Sequence, residues 1–431
     1  MMNDDPFAGA RPDCVWWRGA EPTDLGLPRL DGDLDVDTVV IGAGYTGLST
    51  ALHLAGQGAA VVVLDAEFPG FGASGRNGGQ VQAGSKMSTG KLCATYGTRR
   101  GRLIEDIADA AADFLYSTIR THQISCDATE NGVIRCIPFE RSIDQARAEV
   151  AAQASKGADI RIADREETRS LVGGGDYHAA IVDRRGGSID PFAYVVGLCR
   201  AVMAAGGKVY ARSPVTAIGR SGERWLVSTA NGNVTARNVA ICTNGYSGSL
   251  LPRLARSIIP VNSFQIATEP LGDAGRFVIP GGEVVTETRK LLFYYRRDRE
   301  GRLTIGGRGF LSGERDPRRY GFLRRQMVQL YPHLRHIRIE TFWAGRVAVT
   351  IGPGPHVHEP EPGLFALLGY NGRGVALSTI LGARLAQRIL GAPQEVMGFP
   401  VEPVRPIPFW RWHTIAQPFM INAYRITDRL K

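Results

Sequence analysis

The stretch DTVVIGAGYTGLSTALHLAGQGAAVVVLDAE, residues 37–67, decides the fold of this 431-residue chain. Its pattern predicts a buried strand over residues 38–41, a glycine turn, a helix over residues 45–57 and a second strand over residues 61–64 that ends in Asp65. A bare G-x-G-x-x-G motif is weak on its own. In this order of strand, glycines, helix, strand and acid, it is typical of a dinucleotide-binding βαβ unit.

The glycines of this unit have separate physical roles. Gly42 allows the tight turn after the strand, Gly44 lets the backbone approach a pyrophosphate, and Gly47 lets the helix pack closely on the sheet. The helix begins at Tyr45 and Thr46, so its free N–H groups and the positive end of its dipole are predicted to bind the phosphates.

The acidic end of the second strand predicts the ribose contact. Asp65, followed by Ala66, stands where a carboxylate accepts hydrogen bonds from ribose hydroxyls. The alternative is a glycine-rich turn that binds no ligand, and the complete fingerprint argues against it.

Composition narrows the classes of function. The chain has a net charge of +9 and 44% hydrophobic residues, enough for a large core. The basic residues are mostly arginines spread along the chain, without the Lys/Arg block that follows a phosphate backbone, so nucleic acid is not an expected partner.

Six scattered cysteines form no C-x-x-C motif, which predicts reduced thiols. Two pairs of histidines in loops are more typical of polar loops than of metal ligands, so no metal is expected; they are His333 with His336 and His356 with His358.

The two ends of the chain and its hydropathy predict a cytoplasmic protein. The first residues lack a basic stretch followed by an apolar one, so no secretory signal is expected. No run of about 18 apolar residues occurs, so no transmembrane segment is expected. The tail is apolar, aromatic and basic, which indicates packing on the body or a partner subunit, or else a weak contact with a membrane surface.

The order of segments predicts a discontinuous cofactor domain with an inserted second domain. Nucleotide-type segments lie near the start, in the middle and near the end of the chain, and β-rich segments interrupt them. The predicted parts are an N-terminal arm over 1–34, a cofactor domain over 35–125, 181–250 and 345–400, a substrate domain over 126–180 and 251–344, and a C-terminal tail over 401–431.

Two further glycine motifs favour FAD over a nicotinamide cofactor. The first, GASGRNGGQ at residues 72–80, predicts a loop rich in free N–H groups that suits a phosphate or the isoalloxazine ring. The second, LGYNGRGV at residues 368–375, predicts a helix N-terminus that stabilises the negative charge of a reduced flavin. The cofactor contacts predicted in these motifs are Ser74, Arg76, Asn77, Gly78, Gly79, Gln80, Gly372, Arg373, Gly374 and Val375.

Together these motifs resemble the FAD-dependent amine and amino-acid oxidases of the D-amino-acid oxidase, glycine oxidase and sarcosine oxidase superfamily. The loop SGRNGGQ at 74–80, TNGYS at 243–247 and GYNGRG at 369–374 are most similar to the gamma-glutamylputrescine oxidoreductase branch. The resemblance implies an α/β fold, in which a discontinuous FAD-binding Rossmann domain of glutathione-reductase type carries an inserted antiparallel-sheet substrate domain. It implies non-covalent FAD, with Val215 on the adenine side and Thr243 and Asn244 near the pyrophosphate or ribose.

Four residues are the candidates for catalysis. Arg76 is expected near the flavin ring, where a fixed cation favours the reduced anion; the alternative is a structural arginine that binds loop carbonyls. Tyr294 and Arg296 lie on a predicted strand and would give the substrate an aromatic wall and a cation for a carboxylate, with Arg308 as a weaker candidate for that cation. Trp343 would shape the pocket, although it is equally typical of a core.

Two departures from related enzymes leave the electron acceptor open between O2 and another acceptor. Arg373 stands where relatives often carry His, and it cannot titrate near neutral pH. Thr304 stands where sarcosine oxidases that are monomeric use a lysine to activate oxygen, and Lys290 is a possible substitute. The predicted function is oxidation of a C–N bond in a small amine or amino acid by hydride transfer to flavin N5. The alternatives are a flavoprotein that modifies tRNA or another macromolecule, and a quinone-linked amino-acid dehydrogenase at a membrane surface.

Overall fold

The protein combines parallel strands and the helices that follow them with a second group of mostly antiparallel strands. The computed structural model describes residues 6–18, 25–248, 250–309, 313–352 and 354–413. The α-helices in these ranges are α1 Tyr45–Ala55, α2 Thr89–Tyr96, α3 Thr98–Asp109, α4 Ala111–Thr121, α5 Ile143–Ala154, α6 Arg165–Val172, α7 Pro191–Ala204, α8 Pro252–Ala255, α9 Gly321–Leu330 and α10 Gly374–Ile389. The strands are β1 Leu34–Ile41, β2 Val61–Leu64, β3 Gln80–Val81, β4 Val133–Ile137, β5 Ile160–Ala163, β6 Ala179–Asp183, β7 Gly187–Ser188, β8 Lys208–Tyr210, β9 Ala217–Ser221, β10 Arg224–Ser228, β11 Asn233–Ile241, β12 Ile259–Pro270, β13 Val284–Glu287, β14 Phe293–Arg297, β15 Arg302–Arg308, β16 Ile339–Val349, β17 His356–Glu361 and β18 Leu364–Leu368.

The first sheet is a Rossmann-type sheet with the strand order β17-β18-β11-β1-β2-β8. The strands from β18 to β8 are parallel, and β17 pairs antiparallel with β18. The antiparallel hairpin of β9 and β10 extends from β11. The predicted strand over residues 38–41 is four residues longer, because Leu34, Asp35 and Val36 also pair with β11.

The second sheet has the order β16-β12-β15-β14-β13-β4-β6-β5. Its neighbouring strands are antiparallel except for the parallel pair of β13 and β4. Two excursions of the chain build it, one containing β4 to β6 and the other β12 to β16. The predicted α/β fold with a Rossmann sheet and a second, largely antiparallel sheet is therefore confirmed, whereas the exact domain limits stay a prediction.

Close contact between α1 and α10 joins the N-terminal and C-terminal parts of the first sheet's helical layer. Ser49 Oγ donates to the Thr379 carbonyl at 2.7 Å, and Thr50 Oγ1 donates to the Gly382 carbonyl at 3.0 Å. A Cβ atom on Gly382 would lie 2.6 Å from the Thr46 carbonyl oxygen, so the absence of a side chain lets the two helices approach.

Helix α7 begins as its sequence predicts. The Asp190 carboxylate accepts hydrogen bonds from the N–H groups of Phe192 and Ala193, both at 2.9 Å, and Pro191 occupies the first helical position. The helix then buries Val195 and Leu198 in the same core cluster as α1.

The N-terminal arm lies where the first sheet's loops meet the second sheet. Trp16 is buried and donates from Nε1 to the Asn77 carbonyl at 2.9 Å, and its ring makes an edge contact with Trp343. Trp17 is half-buried. Both tryptophans therefore pack the arm against the body of the protein, with the Trp17 ring in an edge contact with Phe68.

The C-terminal segment follows the body as far as the structure describes it. The Ile407 N–H donates to the Arg256 carbonyl at 2.8 Å, and Trp410 Nε1 donates to the Ile258 carbonyl at 2.7 Å. Phe409 and Trp412 remain exposed. The rest of the predicted tail, 414–431, lies outside the described residues. Within the described ranges, none of the helices combines the length and the apolar character needed to cross a bilayer.

Substitution of Gly47 tests the close packing of α1 on the glycine turn. A Cβ atom there would lie 2.0 Å from the Gly42 carbonyl oxygen, so we expect Gly47→Ala to lower the free energy of unfolding by about 2 kcal/mol. Gly219→Ala is the matched control, because its Cβ atom would meet nothing within 4 Å. Urea unfolding of both variants measures the difference, and equal stability of the two would contradict the packing role.

Candidate active site

A single continuous cleft of about 1360 Å³ lies between the carboxyl ends of the first sheet's parallel strands and one face of the second sheet. Its other walls are the loop that follows β2 and one face of α5. The residues predicted to bind the cofactor that line this cleft are Gly42, Gly44, Tyr45, Thr46, Asp65, Ala66, Ser74, Arg76, Asn77, Gly78, Gln80, Val215, Thr243, Asn244, Gly372, Arg373, Gly374 and Val375. The structure thus brings together motifs from three distant parts of the sequence.

Strand order gives the cleft a direction. The turn at Gly42 follows β1 in the middle of the sheet, Asp65 follows β2 on one side, and the loop containing Gly372 follows β18 on the other side. Thr243 and Asn244 follow β11, between the turn and that loop. Because carboxyl ends of parallel strands share one edge, an extended dinucleotide would run from Asp65 past Gly42 toward Gly372.

The turn at the start of α1 suits a phosphate. Gly42 has φ +101°, a conformation that favours glycine, and α1 begins after Gly44 without a side-chain cap. The Tyr45 N–H donates to Ser74 Oγ at 3.0 Å, which ties the turn to the second glycine motif. A Cβ atom on Gly44 would lie 2.9 Å from that same Ser74 Oγ, so glycine keeps this approach open. The first turn of α1 can therefore offer N–H groups to an anion.

Asp65 is held in place by the backbone of the same βαβ unit. One carboxylate oxygen accepts from the Ala43 N–H at 2.7 Å, and the other accepts from the Glu67 N–H at 2.9 Å. Burial raises the pKa of Asp65 from its ordinary value, although these two hydrogen bonds oppose the rise. The carboxylate lines the cleft with capacity for further hydrogen bonds, as a ribose partner requires.

The second glycine motif is fixed mainly by Asn77. Its side-chain amide donates to the Ser74 carbonyl at 2.8 Å and to the Ala73 carbonyl at 3.1 Å. Its side-chain oxygen accepts from the Gly79 N–H at 2.8 Å. Gln80 Nε2 donates to the Val285 carbonyl of β13 at 2.9 Å and so connects this loop to the second sheet.

Gly47 and Gly79 lie outside the lining of the cleft. This agrees with the packing role predicted for Gly47, whereas a direct contact of Gly79 with the cofactor stays a prediction. A Cβ atom on Gly79 would lie 2.1 Å from the Ile189 carbonyl oxygen, so Gly79 allows the loop to approach α7 instead. Gly47 packs against the Gly42 carbonyl in the same way. Both glycines shape the binding surface from behind it.

The C-terminal glycine loop is supported by side-chain amides. Asn244 Oδ1 accepts from the Gly369 N–H at 2.9 Å, and Asn371 Oδ1 accepts from the Thr350 N–H at 2.9 Å. Gly372 has φ +81°, and Arg373 is the N-terminal flanking residue of α10. Burial, together with the charge of Arg135, lowers the pKa of Arg373 to about 10, so it stays a cation at neutral pH.

Arg76 lines the cleft but is held by backbone carbonyls. Its Nε donates to the Phe71 carbonyl at 2.6 Å, and Nη1 donates to the Ala344 carbonyl at 3.2 Å. The guanidinium carbon also lies 4.5 Å from the centre of the Trp17 ring. The structural alternative for Arg76 therefore describes its contacts, and its predicted influence on the flavin ring stays a prediction.

Tyr294 forms part of the cleft wall between two glycines. A Cβ atom on Gly306 would lie 2.2 Å from the Tyr294 ring, and one on Gly78 would lie 2.8 Å from it. Its hydroxyl shares a 2.7 Å hydrogen bond with Ser263 Oγ, and burial raises the pKa of the phenol. Tyr294 is therefore a rigid, neutral aromatic surface beside the glycine motif that contains Gly78.

Arg296 and Trp343 lie outside the cleft lining, so the expectation that they face substrate needs correction. Arg296 is buried, donates from Nη2 to the Ile189 carbonyl at 2.8 Å and stacks over Trp16. Trp343 donates from Nε1 to the Arg76 carbonyl at 2.9 Å. Alternation along β14 puts Tyr294 and Arg296 on the same face of the sheet. The N-terminal arm covers that face at Arg296 and Trp343, because its Trp16 ring contacts both side chains.

Several charged residues of the lining were missed by the sequence motifs. They are Lys86, Lys91, Arg135, Glu149 and Arg289, and they come from the loop after β3, from α2, β4 and α5, and from the turn after β13. Arg135 pairs with Glu149 at 2.6 Å. The only available signal was the spacing of Gln145, Glu149 and Gln153 on one face of α5, which is common on solvated helices.

Thr304 lies outside the lining of the cleft, and of the six cysteines Cys242 belongs to the lining. Thr304 is buried and donates to the Arg296 carbonyl at 3.3 Å. All six cysteines are free thiols, as expected for reduced cysteines. Within the described ranges no group of three or more His, Cys, Asp or Glu side chains is placed to hold a metal ion.

A Rossmann sheet whose three glycine loops share a cleft with an antiparallel sheet defines a dinucleotide-dependent oxidoreductase of the two-part flavoprotein class. Residues 37–388 match the family described as DAO, FAD dependent oxidoreductase, and the chain belongs to this family. FAD is accordingly the cofactor, and the chain is an FAD-dependent oxidoreductase.

Relatives of known name cover nearly the whole chain. Gamma-glutamylputrescine oxidoreductase of Escherichia coli strain K12 is 31% identical over 407 residues, which cover 93% of this chain and 95% of that protein. The probable oxidoreductase OrdL of Rhizobium meliloti strain 1021 is 32% identical over 388 residues, with coverage of 89% and 90%.

Solved structures share the fold at lower identity. Glycine oxidase from Geobacillus kaustophilus superposes with a TM-score of 0.72 at 18% identity and covers 87% of this chain and 99% of its own. L-proline dehydrogenase from P. horikoshii gives a TM-score of 0.69 at 19% identity, with coverage of 89% and 99%. These similarities confirm the Rossmann-type fold.

Substitution of Asp65 tests the ribose end of the cleft. Asp65→Asn keeps one acceptor oxygen but removes the charge and the second acceptor, so we expect apoprotein to bind FAD about tenfold or more weakly. Asp37→Asn is the control, because Asp37 also accepts a backbone N–H, from Ala60, but does not line the cleft. Flavin fluorescence quenching measures both affinities, and an equal loss in the two variants would contradict the assignment.

Proposed function

We propose that this protein oxidises a carbon–nitrogen bond in a small amine or amino acid, producing an imine that water hydrolyses. When bound, FAD supplies the acceptor for the hydride, at its N5 atom. The observation that carries this proposal is the position of Tyr294 and Arg308 on the second sheet, facing the same cleft as the three glycine loops. The sheet thus supplies a substrate surface next to the cofactor surface.

Pairing between strands places the proposed substrate residues together. Arg308 lies directly opposite Ser263 in the β15–β12 ladder, and Ser263 shares a hydrogen bond with the Tyr294 hydroxyl. Directly opposed residues share one face of a sheet, so Arg308 and the Tyr294–Ser263 pair form one patch. We assign Arg308, rather than the buried Arg296, as the cation that binds a substrate carboxylate, because only Arg308 lines the cleft.

The cleft protects a neutral amine better than an exposed surface would. Burial disfavours a charged ammonium, and the cations Lys86, Arg308 and Arg373 oppose it further. A neutral nitrogen has the lone pair that drives hydride loss from the adjacent carbon. No side-chain base needs to touch the substrate, so the proposal requires only that the chain bind, orient and desolvate the amine.

A second candidate concerns the electron acceptor. Phe409 and Trp412 are 84% and 62% exposed, and Arg411 lies between them, which favours contact with an apolar or membrane surface. A quinone-linked dehydrogenase at such a surface is therefore the alternative to an oxidase that uses O2. A cytoplasmic location remains a prediction under either alternative.

Anaerobic mixing of the purified holoprotein with amines tests the function. We expect a panel of polyamines, N-alkyl glycines and amino acids to contain a compound that bleaches the flavin absorbance near 450 nm, because the bound amine reduces FAD. Rapid reoxidation by O2 then indicates an oxidase, and reoxidation only by a soluble quinone analogue indicates a dehydrogenase. If no amine in the panel bleached the flavin, the proposed function would be wrong.

Arg308 and Arg296 give opposite expectations for a Met substitution. Arg308→Met should raise KM for a carboxylate-bearing substrate at least about tenfold with a smaller effect on kcat, since a charge-assisted contact is lost. Arg296→Met should instead lower the melting temperature, because it removes a buried contact to the Ile189 carbonyl. Steady-state kinetics with a carboxylate substrate and its amide separate the two effects. A KM unchanged in Arg308→Met would rule out the assignment.

A further inference from the structure

Lys86 is a cation of the cleft that no sequence motif identified. It lies on the loop after β3, and its Nζ donates to the Asn371 carbonyl at 2.6 Å. A Cβ atom on Gly372 would lie 3.7 Å from the same Nζ. The ammonium therefore lies against the C-terminal glycine loop, which comes from a strand on the far side of the first sheet from Asp65.

This position is at the ring end of the cleft. Strand order leads a bound dinucleotide from Asp65 past Gly42 to the loop at Gly372, and the second sheet meets the cleft at that last point with Tyr294. Lys86 lines the same part of the cleft as Arg373 and Arg308, so it is placed near the reactive half of FAD and away from the adenine half.

The charged groups around Lys86 are of its own sign. The side chains whose charges act on it are Arg373, before the first residue of α10, and Arg308, at the end of β15. The Lys86 side chain is exposed to solvent in the cleft, although the protein atoms of the cleft walls also surround its ammonium closely. Both effects lower the pKa of Lys86 from its ordinary value near 10.5 to about 8. Lys86, Arg373 and Arg308 thus form a group of three cations beside the N-terminus of α10, and this group would stabilise an anion bound next to it.

We propose that Lys86 is the cation that stabilises the negative charge that bound FAD gains on reduction, because its ammonium lies against the C-terminal glycine loop in the cleft. Hydride transfer breaks the substrate C–H bond and delivers two electrons and one proton to FAD, which leaves one negative charge on the reduced cofactor. The amine nitrogen releases its proton to water as the C=N bond forms. Arg308 binds the substrate in the proposed function, whereas Lys86 acts on the cofactor; the inference uses that function only for the source of the hydride.

The sign of the pH dependence follows from the Lys86 ammonium. Below about pH 8 Lys86 is charged and stabilises the anion, and above it the charge and its effect are lost. Arg373, whose pKa is about 10, is still mostly charged at pH 9.5. Most of the loss between pH 7.5 and 9.5 therefore belongs to Lys86, and a bound anion would raise the pKa of Lys86 in return.

Sulfite provides a probe that needs no substrate. It adds reversibly to oxidised flavin, bleaches the absorbance near 450 nm and leaves a negative charge on the ring. We expect Lys86→Met holoprotein to bind sulfite about tenfold or more weakly at pH 7.5, since one nearby cation is removed. When the pH is raised from 7.5 to 9.5, the sulfite affinity of the unsubstituted protein should fall toward that of Lys86→Met. Both affinities are expressed per concentration of the sulfite dianion, because sulfite itself loses a proton near neutral pH. Lys86→Arg should bind tightly at both pH values.

Lys208→Met and Lys86→Arg are the controls that show whether the loss of sulfite affinity comes directly from the charge of Lys86. Lys208→Met removes a lysine from the exposed edge of β8, outside the cleft, and should leave sulfite affinity unchanged. Equal affinity and equal pH dependence in Lys86→Met and the unsubstituted protein would overturn the proposal, even if an amine still bleached the flavin. If Lys86→Met failed to hold FAD, a matching pH profile in Lys86→Arg and the unsubstituted protein would overturn it equally.

Discussion

The close contact between α1 and α10 is the constraint on which the rest of the structure depends. These helices begin at glycine loops more than 300 residues apart, and the 2.7 Å hydrogen bond between Thr46 Oγ1 and the Tyr370 hydroxyl joins the first turn of α1 to the loop before α10. Gly382 allows the approach because any side chain there would meet the Thr46 carbonyl. The parallel strands bring the phosphate turn and the C-terminal loop to one edge of the sheet, and this helix contact packs the two against each other there.

The second sheet forms one wall of the cleft because the two chain segments that build it leave and re-enter the Rossmann sheet beside its glycine loops. Its strands β12, β14 and β15 present Gln265, Tyr294 and Arg308 to the loops of the Rossmann sheet. Gln265 Nε2 also donates to the Arg76 carbonyl, so the substrate wall and the second glycine motif are fastened to each other. The redox chemistry comes with FAD, and this chain contributes the aromatic wall at Tyr294 and the cations Lys86, Arg308 and Arg373 to the lining of the cleft.

Local rules in the sequence were enough to predict the strand, glycine turn, helix and strand of the first βαβ unit. Gly42, Gly47 and Asp65 have roles that follow from neighbours close in the chain, and their βαβ order leaves few alternatives. The substrate half depends on tertiary structure. Arg296 is on the expected strand, but the arm carrying Trp16 covers it, and nothing in a strand pattern encodes that cover. Lys86 belongs to no motif, and its position in the cleft could not be predicted because it depends on a contact with Asn371, which is distant in the sequence.

The direction of bound FAD along the cleft can be measured in a crystal structure of the FAD-loaded protein. We expect a single extended FAD, with its adenosine ribose at Asp65, its phosphates at the α1 N-terminus and its isoalloxazine ring between Tyr294 and the Gly372 loop. A ring bound at the Asp65 end, or an FAD that bypasses the Gly372 loop, would contradict the direction that strand order gives the cleft.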